Sequence, residues 1–281
     1  MVQNKDDRFY NEPILRRARK GLPIKELVID AHGHLGAWMQ FYIPQYDAAS
    51  IVKVMDRCGV KAIAISGMLS IGPDYKAGNR AVAQAADAFP GRFIGYVTPN
   101  PNYPAKEVEH ELDFWLTSHN WMRGIKLHPS YHEYPITGPR YQIAFEKARE
   151  YHVPILSHTW GQGDENSLCG PALFADIAEA YPDVTIILGH AGGLLPGYRT
   201  AIEVALDHPN LYLETCGSFQ AMGLLEYLVE NLGSERILFG SDCCFLAQTA
   251  EIGRVVFAKL TTEEKKNILG LNAAKLFNYP A

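Results

Sequence analysis

Several things are scarce in this 281-residue chain, and each scarcity removes a class of protein. No CxxC pair occurs, and the five cysteines are odd in number and widely spread, so a disulfide framework is not expected and they read as reduced thiols. Cys243-Cys244, beside a candidate carboxylate, is the one place where a soft metal ligand competes with the reading of small core residues. No apolar run approaches bilayer length, and Met1 to Lys20 is polar and charged without an apolar core, so the expectation is a cytoplasmic protein with no membrane partner. Basic residues are not in excess: 26 Lys and Arg stand against 31 Asp and Glu, for a net charge of −5, which argues against a nucleic-acid surface. A Gly-rich phosphate loop is also missing. The first apolar run, Leu27-Val28-Ile29, leads into His-Gly-His-Leu-Gly-Ala-Trp, which is not a dinucleotide fingerprint.

What is present is regular. With 47% hydrophobic and 20% charged residues the composition is that of a soluble globular enzyme rather than a disordered chain. Residues 1–26 read as an N-terminal extension, with helical propensity over Glu12 to Lys20 and a basic cluster at Arg16, Arg17, Arg19 and Lys20. A solvated helix packed on the domain or on a second subunit is its expected role. From Leu27 onward short β-rich runs alternate with longer amphipathic ones, the pattern of βα units and a parallel sheet. Strands are predicted at Leu27–His34, Lys61–Ser66, Phe93–Thr98, Gly124–His128, Pro154–Thr159, Thr185–His190, Leu211–Thr215 and Ile237–Asp242. Helices are predicted between them, one of them over Gln220–Leu232, and a last helical region, Thr261 to Phe277, is expected to close the bottom or rim. Eight such units over 27–281 close most naturally into a single α/β domain, a (β/α)8 TIM barrel, whose chemistry gathers at the C-terminal ends of the strands.

Those ends are rich in donors. Strand alternation puts Asp30, His32 and His34 on one face, so two imidazoles converge at the end of the first strand, with Asp30 deeper on that face and able to hydrogen-bond to a ligand. Lys126 and His128 end the fourth strand, His158 the fifth, His190 the sixth and Asp242 the eighth. A lone rim histidine is usually a satisfied polar residue. So many imidazoles and a carboxylate around one barrel mouth are better explained by a metal centre.

Ile-Asp-Ala-His-Gly-His, Arg-Gly-Ile-Lys-Leu-His-Pro, Leu-Ser-His-Thr, Leu-Gly-His-Ala-Gly-Gly, Ile-Leu-Phe-Gly-Ser-Asp and Asn-Ala-Ala-Lys-Leu-Phe together resemble the amidohydrolase superfamily. Within it, they are similar to the amidohydrolase-related branch that includes aminocarboxymuconate-semialdehyde decarboxylase. The resemblance runs from Leu27 to the end; it is specific for fold and metal site and weak for substrate. It implies that His32, His34, His158 and Asp242 hold a catalytic divalent ion, expected as Zn2+ with Mn2+ the alternative, and that His190 faces the substrate or the metal-bound water. Three neutral imidazoles and one carboxylate would leave a zinc site near +1, lowering the pKa of a bound water toward about 7. Asp242 would then move its proton and His190 would stabilise an oxyanion. One departure concerns the last loop, which reads Asp242-Cys243-Cys244-Phe245 where many relatives look like Asp-Tyr-Pro-Phe, so a different path is expected there. Binuclear members carry a carboxylated lysine at the fourth strand. For Lys126, bridging a second metal is set beside binding an anionic substrate or sitting in an internal ion pair.

Loops after the strands should choose a small-molecule substrate. Trp38, Phe41, Tyr42, Tyr131, His132, Tyr134 and Trp160, with Asp164 and Glu165, are candidates to line the mouth, set against simple packing or a homodimer interface. If they line it, the pocket suits a flat organic acid, with Arg199 or Lys126 as carboxylate partner and His128 nearby. Hydrolysis of an ester, lactone or amide-type bond is the leading expectation. Non-oxidative decarboxylation is the nearest alternative, and a metal- or ligand-binding barrel without turnover is the third.

Overall fold

The structure is a computed structural model and describes residues 9–161, 168–217 and 221–280. Eight parallel strands follow one another in chain order: β1 (Ile29–Leu35), β2 (Ala62–Gly67), β3 (Phe93–Val97), β4 (Met122–Leu127), β5 (Ile155–His158), β6 (Ile186–Gly189), β7 (Leu211–Glu214) and β8 (Ile237–Leu238). Helices connect them on the outside. No helix among the described residues is long and apolar enough to cross a membrane. Asp164, Glu165 and the expected helix start at Gln220 lie outside the described residues.

The pleat sorts side chains into two cores. Ile29, Ala31, Ala62, Ala64, Ile94, Tyr96, Leu156, Ile187 and Leu238 fill the barrel interior, where they meet Ala273, Ala274 and Phe277 from the C-terminal helices. The alternate residues, among them Ile63, Ile65, Ile125, Ile155 and Leu213, pack outward against the helices. The last helical region therefore plugs the barrel floor. It starts at a capping box in which Thr261 and Glu264 satisfy one another's backbone N–H groups. Helix Pro13–Arg19 is pinned beneath the same region. Its cap, Glu12, accepts from the N–H groups of Ile14 and Leu15 and from Lys265 Nζ at 2.8 Å, and Lys265 is fully buried.

Closure between the last and first strands differs from simple alternation. The predicted strand Ile237–Asp242 shortens to two residues, yet its continuation still runs beside β1. Ala31 N–H donates to Phe239 O (2.9 Å) and Asp242 N–H to His32 O (2.9 Å), and Gly33 bridges to Cys243. Glycine is needed at that bridge, because a Cβ at position 33 would lie 2.5 Å from Ile63 Cδ1 and 3.1 Å from the Cys243 carbonyl. β1 answers with a bulge, seen as a register shift against β2 between Asp30 and Gly33. Tyr96 OH donates to Ala31 O at 2.8 Å inside the barrel, satisfying the carbonyl at the bulge.

The bulge corrects the expected placement of Asp30. Ala31 belongs to the barrel interior and His32 and His34 also turn inward, whereas Asp30 points the other way and binds the loop after β8. Its carboxylate accepts from Ser241 N–H at 2.9 Å, from the Ser241 hydroxyl, from Gln248 Nε2 at 2.8 Å and from the N–H of His32 at 3.2 Å. None of these bonds is to a histidine ring. Burial pushes its carboxyl up to about 7, against the pull of those donors.

Candidate metal centre

Positions of one parity along the strands deliver polar side chains to the top of the barrel: Ser66 from β2, Lys126 from β4, His158 from β5 and Glu214 from β7, with Asp242 from the loop after β8. Asp242 has a left-handed backbone (φ 56°), which turns its carboxylate toward β1. Its Oδ1 lies 3.1 Å from His34 Nε2 and 4.0 Å from His32 Nε2. One donor atom from each of these three side chains falls within 4.8 Å of the others.

Hydrogen bonding fixes what those atoms offer. Glu214 Oε2, 2.7 Å from His32 Nδ1, can only accept, so the proton of a neutral His32 sits on Nδ1 and Nε2 keeps its lone pair. His34 Nδ1 is 3.0 Å from the Ser66 hydroxyl. The Asp242 Oδ1 atom is enclosed, and its near neighbour is His34 Nε2 at 3.1 Å. Burial pushes the imidazoles of His32, His128 and His158 well below their ordinary range and that of His34 below it, which keeps them neutral. Burial alone would raise the Asp242 carboxyl, but His34 beside it, with His190 and His32, holds it at about 2. Neutral imidazole nitrogens and an orphaned carboxylate oxygen turned on one point are the donor set of a divalent cation, so these residues fit one.

The remaining expected residues surround this trio. His158 stands outside it: its ring stacks on His128 at 4.2 Å, lies parallel to Trp160 at 6.2 Å and meets His190 edge-on at 4.7 Å. His190 Nδ1 sits 3.2 Å from the Cys216 carbonyl, which only accepts, so a neutral His190 carries its proton there and keeps a lone pair at Nε2. Lys126 is fully buried with Nζ 2.7 Å from His32 Nε2, and burial pushes its ammonium down to about 8 against the opposing pull of Asp242, Cys216 and Glu214. Trp38 is buried against Tyr131 (4.9 Å) and Phe245 (5.5 Å), while Phe245 also meets the His34 ring at 5.3 Å and Tyr131 the His128 ring at 4.6 Å. His132 is instead held away from the mouth by Tyr141 OH and the Ser70 carbonyl. Arg199 is exposed on helix Leu195–Asp207, whose buried neighbour is Tyr198.

Sequence reading missed Glu214 and Cys216. Tyr212, Glu214 and Cys216 share one parity at the end of β7, and that alternation was the available signal. Glu214 touches His32, and the Cys216 thiol lies 3.2 Å from His32 Nδ1 and 3.3 Å from His190 Nδ1.

None of the curated proteins matches the chain. Among solved structures, it is similar to 5-carboxyvanillate decarboxylase from Novosphingobium aromaticivorans with bound manganese and a nitrobenzoic acid, at 15% identity and a TM-score of 0.71, covering 90% of this chain and 97% of that one. A 2,6-dihydroxybenzoate decarboxylase from Rhizobium matches at 16% identity and TM-score 0.71 over 90% and 99% of the two chains. A 4-oxalomesaconate hydratase from Rhodopseudomonas palustris follows at 19% and 0.66, over 90% and 96%. At such identities these likenesses speak for the barrel alone. The family model for amidohydrolases, however, matches residues 29–279, from the first residue of β1 to past the floor helices, and on that match the chain belongs to the amidohydrolase family.

Proposed function

We propose that the protein is a divalent-metal-dependent, non-oxidative decarboxylase of a planar, ring-bearing carboxylic acid. The observation that carries this reading is the set of aromatic rings against the donor atoms: Phe245 on His34, Tyr131 on His128 and Trp160 parallel to His158. Such walls suit a flat ring, and offset or edge contacts with it contribute about 0.5–1.5 kcal/mol each. His32, His34 and Asp242 would hold the ion, while His158, which the resemblance implies as a fourth ligand, stands outside that trio; Zn2+ and Mn2+ both suit nitrogen and oxygen donors. When bound, the ion supplies Lewis-acid pull on a substrate oxygen. Lys126, a buried cation, compensates a carboxylate entering the low-dielectric interior. His190, held through Nδ1 by the Cys216 carbonyl, presents Nε2 as a proton carrier. The balance is simple: the carboxylate carbon leaves as CO2, its bonding pair stays on the ring carbon, and one proton replaces it.

A hydrolase is the second reading, favoured by one observation. Asp242 turns an enclosed carboxylate oxygen, with no hydrogen-bond partner among the described residues, toward the histidine donors, where it could take a proton from water. Incubating the metal-loaded protein with hydroxylated benzoates and with lactones separates the two. CO2 release matched by proton uptake supports decarboxylation; acid production from lactones without CO2 overturns it. The cytoplasmic setting proposed here is supported by Cys58, Cys169, Cys216, Cys243 and Cys244, none of which is in a disulfide among the described residues, and cell fractionation tests it.

A further inference from the structure

We propose that Glu214 is a positioning residue that sets His32 and His190 relative to one another, so that one carboxylate aligns both the proposed metal ligand and the proposed proton carrier. This rests on the metal-centre reading above. Glu214 accepts four hydrogen bonds: from His32 Nδ1–H at 2.7 Å and His190 backbone N–H at 3.2 Å, both on Oε2, from the Cys216 N–H on Oε1, and from the Cys216 thiol at 3.1 Å. Its reach extends one step further, since the Cys216 whose N–H it takes supplies the carbonyl that receives His190 Nδ1–H.

The surroundings are shaped for this carboxylate. It is fully buried, and Gly240, two residues past β8, leaves room for it: a Cβ there would lie 2.1 Å from Glu214 Oε1 and 2.9 Å from His32 Cβ. Only an acceptor-only group satisfies the donors. A glutamine would turn its NH2 either on the Cys216 N–H or on His32 Nδ1–H, and the second orientation would drive the His32 proton to Nε2, where the ion is to bind. The donor atoms of His32, His190, Glu214 and Cys216 also lie within 4.8 Å of one another, the spacing of a second cation site. The 2.7 Å separation of His32 Nδ1 and Glu214 Oε2 is hydrogen-bond length, however, and His32 cannot keep its Nδ1 proton and bind a metal there.

The test uses the full chain, stripped with chelator and reloaded with Zn2+, or with Co2+ for its visible spectrum. Wild type is compared with Glu214→Gln, Gly240→Ala and His34→Ala. Glu214→Gln should fold by circular dichroism, bind one equivalent about 10–100-fold more weakly in competition with a chromophoric chelator, and shift the Co2+ bands. Gly240→Ala, which keeps the carboxylate but displaces it, should move affinity and bands in the same direction. Wild-type affinity and spectrum in Glu214→Gln, with only a lower melting temperature, would make the residue merely structural and overturn the proposal. Loss of a second equivalent while the first stays tight would make it a ligand and overturn it too. His34→Ala separates the two levels: if it binds Zn2+ as wild type does, the metal-centre reading falls first, whereas if it loses the ion and Glu214→Gln does not, the role of Glu214 alone falls. Should neither Glu214→Gln nor Gly240→Ala fold, 15N-histidine NMR of the wild type decides. A His32 with its proton on Nδ1 supports the proposal, and one with it on Nε2 refutes it.

Discussion

Replacing Asp30 tests how the barrel closes around its candidate metal centre, because this carboxylate ties β1 to the loop that carries Asp242. Asp30→Ala strands several donors in a fully buried place, namely Ser241 N–H, the Gln248 amide and His32 N–H, while the Ser241 hydroxyl loses its strongest acceptor. Each buried unsatisfied donor costs about 1–3 kcal/mol, and because they share one site the sum falls short of additive, so the expected loss is about 3–5 kcal/mol. Asp30→Asn behaves differently. Its NH2 meets a hydroxyl that can turn round, and Gln248 Oε1, which has no partner among the described residues, can flip inward to accept from it. The expected loss is about 1 kcal/mol or less. Urea unfolding of both variants, with metal content measured on the same samples, reads the difference. The alanine variant should also hold its ion more weakly, since Ser241 neighbours Asp242, and the asparagine variant should hold it nearly as wild type does. If the two variants unfold within about 1 kcal/mol of each other, acceptor geometry is not what Asp30 supplies, and the account of barrel closure is wrong.

Removing the ion by chelation should lower the melting temperature, because an ion present at about 100 times its Kd stabilises the folded state by about 2.7 kcal/mol, or very roughly 5–10 °C for a domain of this size; a calorimetric scan unchanged by chelator would count against the site. Asp242→Asn should cut turnover by orders of magnitude and weaken metal binding while the circular dichroism spectrum stays that of wild type; retained turnover would remove Asp242 from the chemistry. Tyr131→Ala should raise KM for aromatic acids more than it changes kcat, as expected of a wall that binds ground and transition states alike. Glu12→Gln probes acid stability. Burial tends to raise the Glu12 carboxyl, but Lys265, the N–H groups of Leu15 and Ile14 and the Thr262 hydroxyl hold it below its ordinary 4.5. A depressed carboxyl contributes stability above the unfolded value and loses it as pH falls through the folded one, so the gap in unfolding free energy between wild type and Glu12→Gln should close below pH 4.5. A gap independent of pH would show that the Lys265 pair is not what the charge serves.

Most of the barrel could be read from local pattern, because each strand of a parallel barrel is buried on both faces and each rim residue follows its own apolar run by a fixed parity. That is why His34, Lys126, His158 and His190 could be placed at strand ends without coordinates, whereas Asp242, read as the end of a strand, lies in the loop past the shortened β8. What escaped was set by contacts between distant segments. The bulge that turns His32 inward and Asp30 outward exists because Cys243, more than two hundred residues away in sequence, brings its carbonyl against Gly33, and no periodicity in Leu27 to His34 encodes that approach. The assumption of unbroken alternation therefore gave Asp30 the wrong partners, although it identified the right strand. Glu214 escaped for a related reason. A single glutamate between Leu213 and Thr215 carries no motif, and its importance comes from the converging N–H donors of His32, His190 and Cys216, which three different strands bring together. Residues that could face an ion are announced by their chemistry in the sequence, whereas those that hold them in place are announced only by the donors they satisfy. On that argument the Asp30 and Glu214 carboxylates, on opposite faces of the barrel wall, constrain the same histidine from its backbone N–H and from its ring, and neither constraint substitutes for the other.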